Sequence, residues 1–321
     1  MKKMPHFDEV GHLLSGQEIF MGKEVKPEEA VRRIEKVFDK RIKEIPSLKS
    51  ILDPFKKLLI EREYIKAEIS SRTDIDVSAP DKEQFAKGEP MLKTETIASL
   101  IDTWGETMKR SASALERSFP KIRPEITKLT QALDTGQIDV KDCLLAIFTG
   151  EDNELDGTAS RLGIQPNMLR FLLIQISKPF IEKRAQRFHD LIKEMPWFKG
   201  YCPICGSSPE LSFLHGKEGQ RWLRCSLCGY EWRFKRTECP YCGYEGKKGK
   251  QLDYIEGRNK EWAESCPECK RYIVGTDLGA STETATEAVA PGLIYLDILA
   301  QDKGFTPIAV CAWNMVTESG E

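Results

Sequence analysis

Residues 197–272 read WFKGYCPICGSSPELSFLHGKEGQRWLRCSLCGYEWRFKRTECPYCGYEGKKGKQLDYIEGRNKEWAESCPECKRY. Eight cysteines fall here in four C-x-x-C pairs: Cys202/Cys205, Cys225/Cys228, Cys239/Cys242 and Cys266/Cys269. Two cysteines at i and i+3 in a tight turn form a knuckle that offers two thiolates to one ion. A glycine after the second cysteine lets the backbone turn left-handed there. Gly206, Gly229 and Gly243 fill that place in three knuckles, and Lys270 stands in the fourth. Each knuckle supplies half of a tetrahedral shell, so four knuckles make two four-sulfur sites. There are 19 residues between the first two pairs and 23 between the last two, a ribbon-like spacing. The simplest arrangement is sequential, with Cys202, Cys205, Cys225 and Cys228 in one site and Cys239, Cys242, Cys266 and Cys269 in the other. Interleaved pairing stays open, because ten residues separate the second and third pairs. Four sulfurs close the coordination sphere and leave no position for a reactant, so the sites are structural or one-electron centres. Iron and zinc both accept this geometry.

The segments between the cysteines alternate as strands. SPELSFLH, GKEG and QRWLRC read as strand, turn and strand, and KQLDYIEG with RNKEWAESC repeats the plan with a longer hairpin. Trp197, Tyr201, Trp222, Tyr230, Trp232, Tyr241, Tyr254, Trp262 and Tyr272 surround the knuckles. They read as the small cores of the ribbons rather than as stacking platforms for bases. His215 reads as a surface residue beside a turn, Cys143 as helix core, and Cys311 has no partner visible in the sequence.

Upstream, the grammar is helical. PEEAVRRIEKVFDKRIKEI places Ala30, Ile34, Val37, Phe38, Ile42 and Ile45 on one face. A second helical stretch runs to about Ser71 and carries Pro54, which predicts two helices or one kinked helix. SRTDIDVSAPDKEQFAKGEP reads as a loop. Helical patterning resumes from Thr94, continues through PKIRPEITKLTQALDTG and a short helix with Cys143, and ends in a long apolar helix from Pro166 to about Ile192 that contains Pro179. Downstream of the knuckles, GASTETATEAVAPG reads as a surface loop or linker, and LIYLDILAQDKGF as a helix that packs back. The predicted class is α+β: an all-α domain over 1–195, rubredoxin-like or zinc-ribbon modules over 196–235 and 236–278, and a linker with a C-terminal helix over 279–321.

The 321 residues carry 48 Lys+Arg against 50 Asp+Glu, a formal charge of −2. Such balance argues against a polyelectrolyte binder of nucleic acid or anionic membrane. Residues 200–275 are formally +3, and eight thiolates with two divalent ions would bring them to −1, whereas a nucleic-acid ribbon needs a clear positive excess. No apolar run approaches the roughly 20 residues that span a bilayer. The N-terminal MKKMPHFDEVGH reaches no apolar stretch, so a cytoplasmic protein with reduced, ion-binding cysteines is expected. No P-loop, dinucleotide fingerprint, Ser/His/Asp arrangement or carboxylate pair is visible, so no catalytic or cofactor-binding residue is assigned and no enzyme is expected.

Five motifs together carry a family resemblance: W-x-x-G-x-C-P-x-C-G-S-x-P (Trp197–Pro209), R-W-L-R-C-S-L-C-G-x-E-W (Arg221–Trp232), R-x-x-C-P-x-C-G (Arg236–Gly243), L-x-Y (Leu252–Tyr254) and C-x-x-C-x-x-Y (Cys266–Tyr272). The set resembles the formate dehydrogenase accessory (formation) protein family, FdhE. L-x-x-x-x-x-K-P-F-x-E-x-x-A (Leu172–Ala185) and L-D-I-L-A-x-x-x-G-F (Leu296–Phe305) are similar to that family too. The resemblance implies a cytoplasmic maturation factor for molybdenum- or tungsten-dependent formate dehydrogenase that binds the catalytic subunit, with a homodimer open. It puts the metal-binding positions on the same eight cysteines, holding iron or zinc. The rival readings are a rubredoxin-like electron carrier and a zinc-ribbon nucleic-acid binder.

Overall fold

A computed structural model describes residues 25–69, 80–92, 104–149, 151–245, 251–281 and 284–314. Helix α1 (Pro27–Glu44) starts on a proline, with Glu28 and Glu29 in its first turn and Arg41 and Lys43 in its last, as the helix dipole favours. It packs against α2 (Lys49–Glu68), which runs unbroken through Pro54. Burial of Leu52, Phe55, Leu58 and Leu59 on its inner face offsets the hydrogen bond that the proline removes.

The expected loop over 71–90 holds a short helix, α3 (Lys82–Lys87). The Asp81 carboxylate accepts from the Glu83 and Gln84 amides at its start, and Gly88 closes its end at φ +106°. The stretch before Trp104 that was read as helical lies outside the described residues, as do 1–24. Helices α4 (Glu106–Ser118), α5 (Arg123–Asp134) and α6 (Val140–Thr149) follow. Then comes α7 (Asp152–Leu162), whose thin apolar face of Leu155 and Ala159 escapes periodicity. Helix α8 (Pro166–Ala185) is the pillar of the bundle and packs on α2, α4, α5, α6 and α7. It is buried almost all round, Lys178, Glu182 and Arg184 included. It ends earlier than the sequence pattern predicts, giving way to a 3₁₀ turn and α9 (His189–Ile192). Among the described residues no helix is long and apolar enough to cross a membrane.

Strands β1 (Pro209–His215), β2 (Gln220–Cys225) and β3 (Glu231–Arg233) form the first ribbon. Strands β4 (Gln251–Tyr254), β5 (Glu261–Ser265) and β6 (Arg271–Gly279) form the second. The ribbons share one sheet in the order β3-β2-β1-β6-β5-β4. Their seam is the parallel pair β1–β6, with Ser212 opposite Gly275 and Phe213 opposite Thr276. Gly275 is needed there, because a Cβ would sit 2.5 Å from the Trp262 indole nitrogen.

Arg221, 3% exposed, staples the seam. It donates to Ser212 Oγ and Glu264 Oε1, each at 2.9 Å, and to the carbonyls of Lys235 and Glu238 on the connection into the second ribbon.

The segment read as a linker is mostly buried. Ala285, Ala288 and Ala290 sit in the interior, and α10 (Thr286–Val289) contacts α1 and α2. Its small residues suit close packing, the property that makes the composition look loop-like. Helix α11 (Ile294–Asp302) covers the sheet, burying Leu293, Leu296 and Ala300 with Leu211, Phe213, Ala263, Tyr272 and Val274. Strand β7 (Thr306–Pro307) then pairs parallel to β6.

Arg221→Leu leaves the buried Glu264 carboxylate without its guanidinium partner. It should cost about 3–5 kcal/mol in urea unfolding, with most of that recovered in the Arg221→Leu/Glu264→Leu double variant; equal losses in both would refute the pairing.

Burial raises the Asp297 carboxyl to about 7, against the hydrogen bonds from Tyr272 and Asn314 that favour its charged form. The folded chain therefore binds more protons than the unfolded one between about pH 4 and 7, and this group's contribution to stability falls as pH rises through that window. Asp297→Asn should flatten that part of the stability curve and gain relative to the parent at pH 8. An unchanged slope would count against the assignment.

Candidate metal centres

All four knuckles repeat one backbone design. The amide four residues after each leading cysteine donates to that cysteine's carbonyl: Gly206 to Cys202, Gly229 to Cys225, Gly243 to Cys239 and Lys270 to Cys266, at 2.9–3.2 Å. Each leading cysteine's amide in turn donates to the carbonyl five residues on, those of Ser207, Tyr230, Tyr244 and Arg271. Closing the loop requires positive φ at the fifth position, and the values are +74°, +68°, +73° and +58°. Lys270 is the only non-glycine residue with positive φ among the described residues.

The knuckles meet in sequential pairs. Cys202, Cys205, Cys225 and Cys228 form one cluster, and Cys239, Cys242, Cys266 and Cys269 the other, with all ligand atoms in each within 4.8 Å of one another. In the first cluster Cys202 Sγ is 3.5 Å from Cys228 Sγ, and Cys205 Sγ is 3.5 Å from Cys225 Sγ and 3.6 Å from Cys228 Sγ. In the second, Cys239–Cys269 is 3.9 Å and Cys242–Cys266 is 3.7 Å. A tetrahedron with metal–sulfur bonds of about 2.3 Å has edges of about 3.8 Å, so the spacing fits an ion. It is far too long for disulfides, and all ten cysteines are free. Cys143 and Cys311 stand apart from both clusters. Cys143 is buried on α6, and Cys311 lies 3.7 Å from Glu210 Oε2.

Electrostatics supports the same reading. Burial pushes the Cys202 and Cys228 thiols well above the ordinary thiol range, while hydrogen bonds from Cys202, Cys225 and Cys228 hold Cys205 well below it. A dry quartet of sulfurs does not hold four negative charges unaided; a divalent cation would supply the compensation.

The first centre is set into the helical platform. The amides of Met91 and Leu92 donate to the carbonyls of Pro203 and Ile204, both at 2.8 Å, and Lys178 Nζ donates to Ser226 O at 2.8 Å. Arg224 lies against Gly229, where a Cβ would come within 2.9 Å of its Nη2.

Behind these cations runs a buried ionic network that sequence reasoning did not single out. Arg224 pairs with Glu210 and donates to Thr286 Oγ1, and Thr286 donates to Glu231. Glu182 lies 3.6 Å from Arg62, 3.5 Å from Lys66 and 3.9 Å from Lys178. Burial would raise the Glu182 carboxyl, but Lys66, Arg62, Lys178 and Arg224 outweigh it and hold it down to about 2. Burial dominates at Glu231 and raises it to about 7 despite Arg224. The available signal was Lys178 and Glu182 at i, i+4, the first interrupting and the second ending the apolar run from Leu172 to Ile181.

Of the aromatic residues, Trp197, Trp222, Tyr230, Trp232, Trp262 and Tyr272 are buried as ribbon and junction core, while Tyr241 and Tyr254 are exposed. Trp232 Nε1 donates to Lys199 O and Tyr201 Oη to Gly88 O, stitching the ribbon to the helices.

A family model described as the FdhE central domain matches residues 201–236, the first ribbon. An FdhE homolog from Edwardsiella ictaluri is 34% identical over 227 residues, which cover 68% of each chain. The chain belongs to the FdhE family. Another FdhE homolog, from Aquifex aeolicus, is 28% identical over 301 residues, covering 91% of this chain and 97% of its own length. The crystal structure of the FdhE protein from Pseudomonas aeruginosa shares the fold, with a TM-score of 0.60 at 19% identity over 92% of this chain and 97% of that one. The FdhE central domain thus corresponds to the ribbon that is built most deeply into the helices.

The knuckle geometry sets a paired expectation. Lys270→Gly relieves a left-handed residue and should leave thermal stability unchanged or raised. Gly229→Ala meets both the φ penalty and Arg224 and should lower stability by about 1–2 kcal/mol or more. Similar losses for both would contradict it.

Proposed function

We propose that this chain is an accessory protein for the maturation of a molybdenum- or tungsten-dependent formate dehydrogenase and acts by binding the catalytic subunit. In this reading Cys202, Cys205, Cys225 and Cys228 ligate one ion, Cys239, Cys242, Cys266 and Cys269 ligate a second, and both ions serve to hold the ribbons rigid. The observation that carries the proposal is the closed four-sulfur geometry, on a sheet locked to a helical platform, in a chain of the FdhE family. Four protein donors complete a tetrahedral shell, so the centres suit support rather than turnover. The reliance on reduced cysteines fits a cytoplasmic site of action. The near-neutral ribbon segment gives no support to nucleic-acid binding.

The test is co-purification. The full chain, prepared anaerobically with a tagged formate dehydrogenase catalytic subunit, should retain that subunit through washes that remove an unrelated molybdoenzyme subunit. Equal loss of both would sink the proposal. A second reading, electron transfer by iron, is favoured by one observation: Cys242 of the second cluster is exposed. Reversible ferric-thiolate absorption in anaerobically purified protein would support it, and colourless protein with stoichiometric zinc would remove it.

A further inference from the structure

The two four-sulfur clusters share a backbone design but sit in opposite surroundings. All four cysteines of the first are buried, at 0% for Cys202 and Cys225, 1% for Cys228 and 6% for Cys205. The residues inside its knuckles, Pro203, Ile204 and Leu227, are buried as well, and only Ser226 is half-buried. Protein closes on it from several directions: residues 91–92 hydrogen-bond to one knuckle, Lys178 holds the other, and Arg224 lies across Gly229.

In the second cluster Cys239 and Cys266 are buried, but Cys242 is exposed and Cys269 half-buried. Inside its knuckles Pro240 is buried and Pro267 half-buried, but the other two residues face outward. Tyr241 and Glu268 are exposed, and so are Gly243 and Lys270 at the turns. Contacts from elsewhere in the chain hold its backbone: Gly200 packs on the Pro240 carbonyl, where a Cβ would come within 1.8 Å, Arg221 donates to the Glu238 carbonyl beside Cys239, and the Thr306 amide donates to the Lys270 carbonyl at 3.0 Å. The Arg271 guanidinium lies 4.1 Å above the Tyr241 ring on the outer face.

We propose that the two centres divide their roles: the first is a permanent strut, and the second exchanges its ion with solution. This inference rests on reading both clusters as metal centres. A competing ligand must reach a metal–sulfur bond before it can displace a thiolate, and solvent access also decides which thiolates react. At the second cluster Cys242 and Cys269 give that access on one side, while buried Cys239 and Cys266 remain to receive a returning ion. At the first no cysteine is more than 6% exposed, and although Cys205 and Cys228 border clefts, a competitor reaches these sulfurs only through a local opening of the contacts between ribbon and helices.

The arrangement of the sheet makes the division workable. Losing the second ion frees the knuckles at one end of β4, β5 and β6, while β6 stays paired to β1 and covered by α11. The first ribbon keeps its own core, which is continuous with the helices through Leu223, Leu227, Tyr230 and Trp232. An intermediate with one ion is therefore folded over most of its length.

The experiment uses the full chain loaded with two zinc ions, verified by elemental analysis, and chased with the chromogenic chelator 4-(2-pyridylazo)resorcinol. Release should occur in two phases of one ion each, with rates at least about tenfold apart. Far-UV circular dichroism should keep its helical signal through the first. Thiol alkylation at the end of that phase, read by peptide mass spectrometry, should mark Cys239, Cys242, Cys266 and Cys269 and spare the other quartet. Cys242→Ser should carry away the fast phase and leave the slow one. Two ions leaving together, or alkylation of both quartets in step, would overturn the division of roles while leaving metal binding intact. A chain that accepts no zinc would overturn the metal reading itself, and this inference with it.

Discussion

Four sulfurs drawn to within 4.8 Å of one another set the terms for everything around them. Each thiolate repels its neighbours, and burial penalises each charge, so the quartet is favourable only around a cation. Once the ion is in place the constraint becomes constructive. It fixes four points of backbone, two from each knuckle, and the strands that leave those points have their directions set. Ribbons this small bury too little apolar surface to order themselves. The repeated amide-to-carbonyl closure of the knuckles, with its left-handed fifth residue, is the local form this constraint takes.

Helix α8 and strand β2 each set a buried cation beside the first centre. A four-thiolate site holding a divalent ion carries two net negative charges, and Lys178 and Arg224 stand beside it, each buried. Buried cations need partners of their own, which explains the chain of carboxylates behind them: Glu210 and Glu231 for Arg224, and Glu182 shared by Lys178, Arg62 and Lys66. Such networks specify one docking geometry more than they add stability, because a displaced partner leaves an uncompensated charge. Helices and first ribbon therefore behave as one body, and their apolar core is continuous across the junction.

The second ribbon is attached differently. It joins through the β1–β6 seam, the Arg221 staple, the cover of α11 and the pairing of Arg41 and Tyr295 with Glu261. Its cysteine cluster borders the Arg221 staple at Glu238 and Glu264 but opens outward, with exposed sulfur and exposed knuckle residues. The molecule thus grades from a tightly packed platform to a more open rim.

Much of this was legible in the residues. The C-x-x-C spacing and the following glycines declared the knuckles, the closed four-sulfur sites and the hairpins between them, because metal ligation by a tight turn depends on a few residues at fixed short separations. Helical periodicity declared α1, α2 and α8 for the same reason: the pattern is local. The knuckle interiors also differ, Pro-Ile and Ser-Leu against Pro-Tyr and Pro-Glu, but it took the packed chain to show that the difference is one of exposure. Other features depended on contacts between distant parts of the chain. The choice of sequential over interleaved knuckles, the parallel seam at Gly275 and the burial of the alanine-rich stretch before α11 are set by what each segment meets. So is the pairing of Arg224 and Lys178 with carboxylates far away in sequence. A charged residue inside a strand or helix looks the same in sequence whether it faces water or a buried partner. Only the packed chain decides which, because the energy that separates the two is the cost of removing that charge from water.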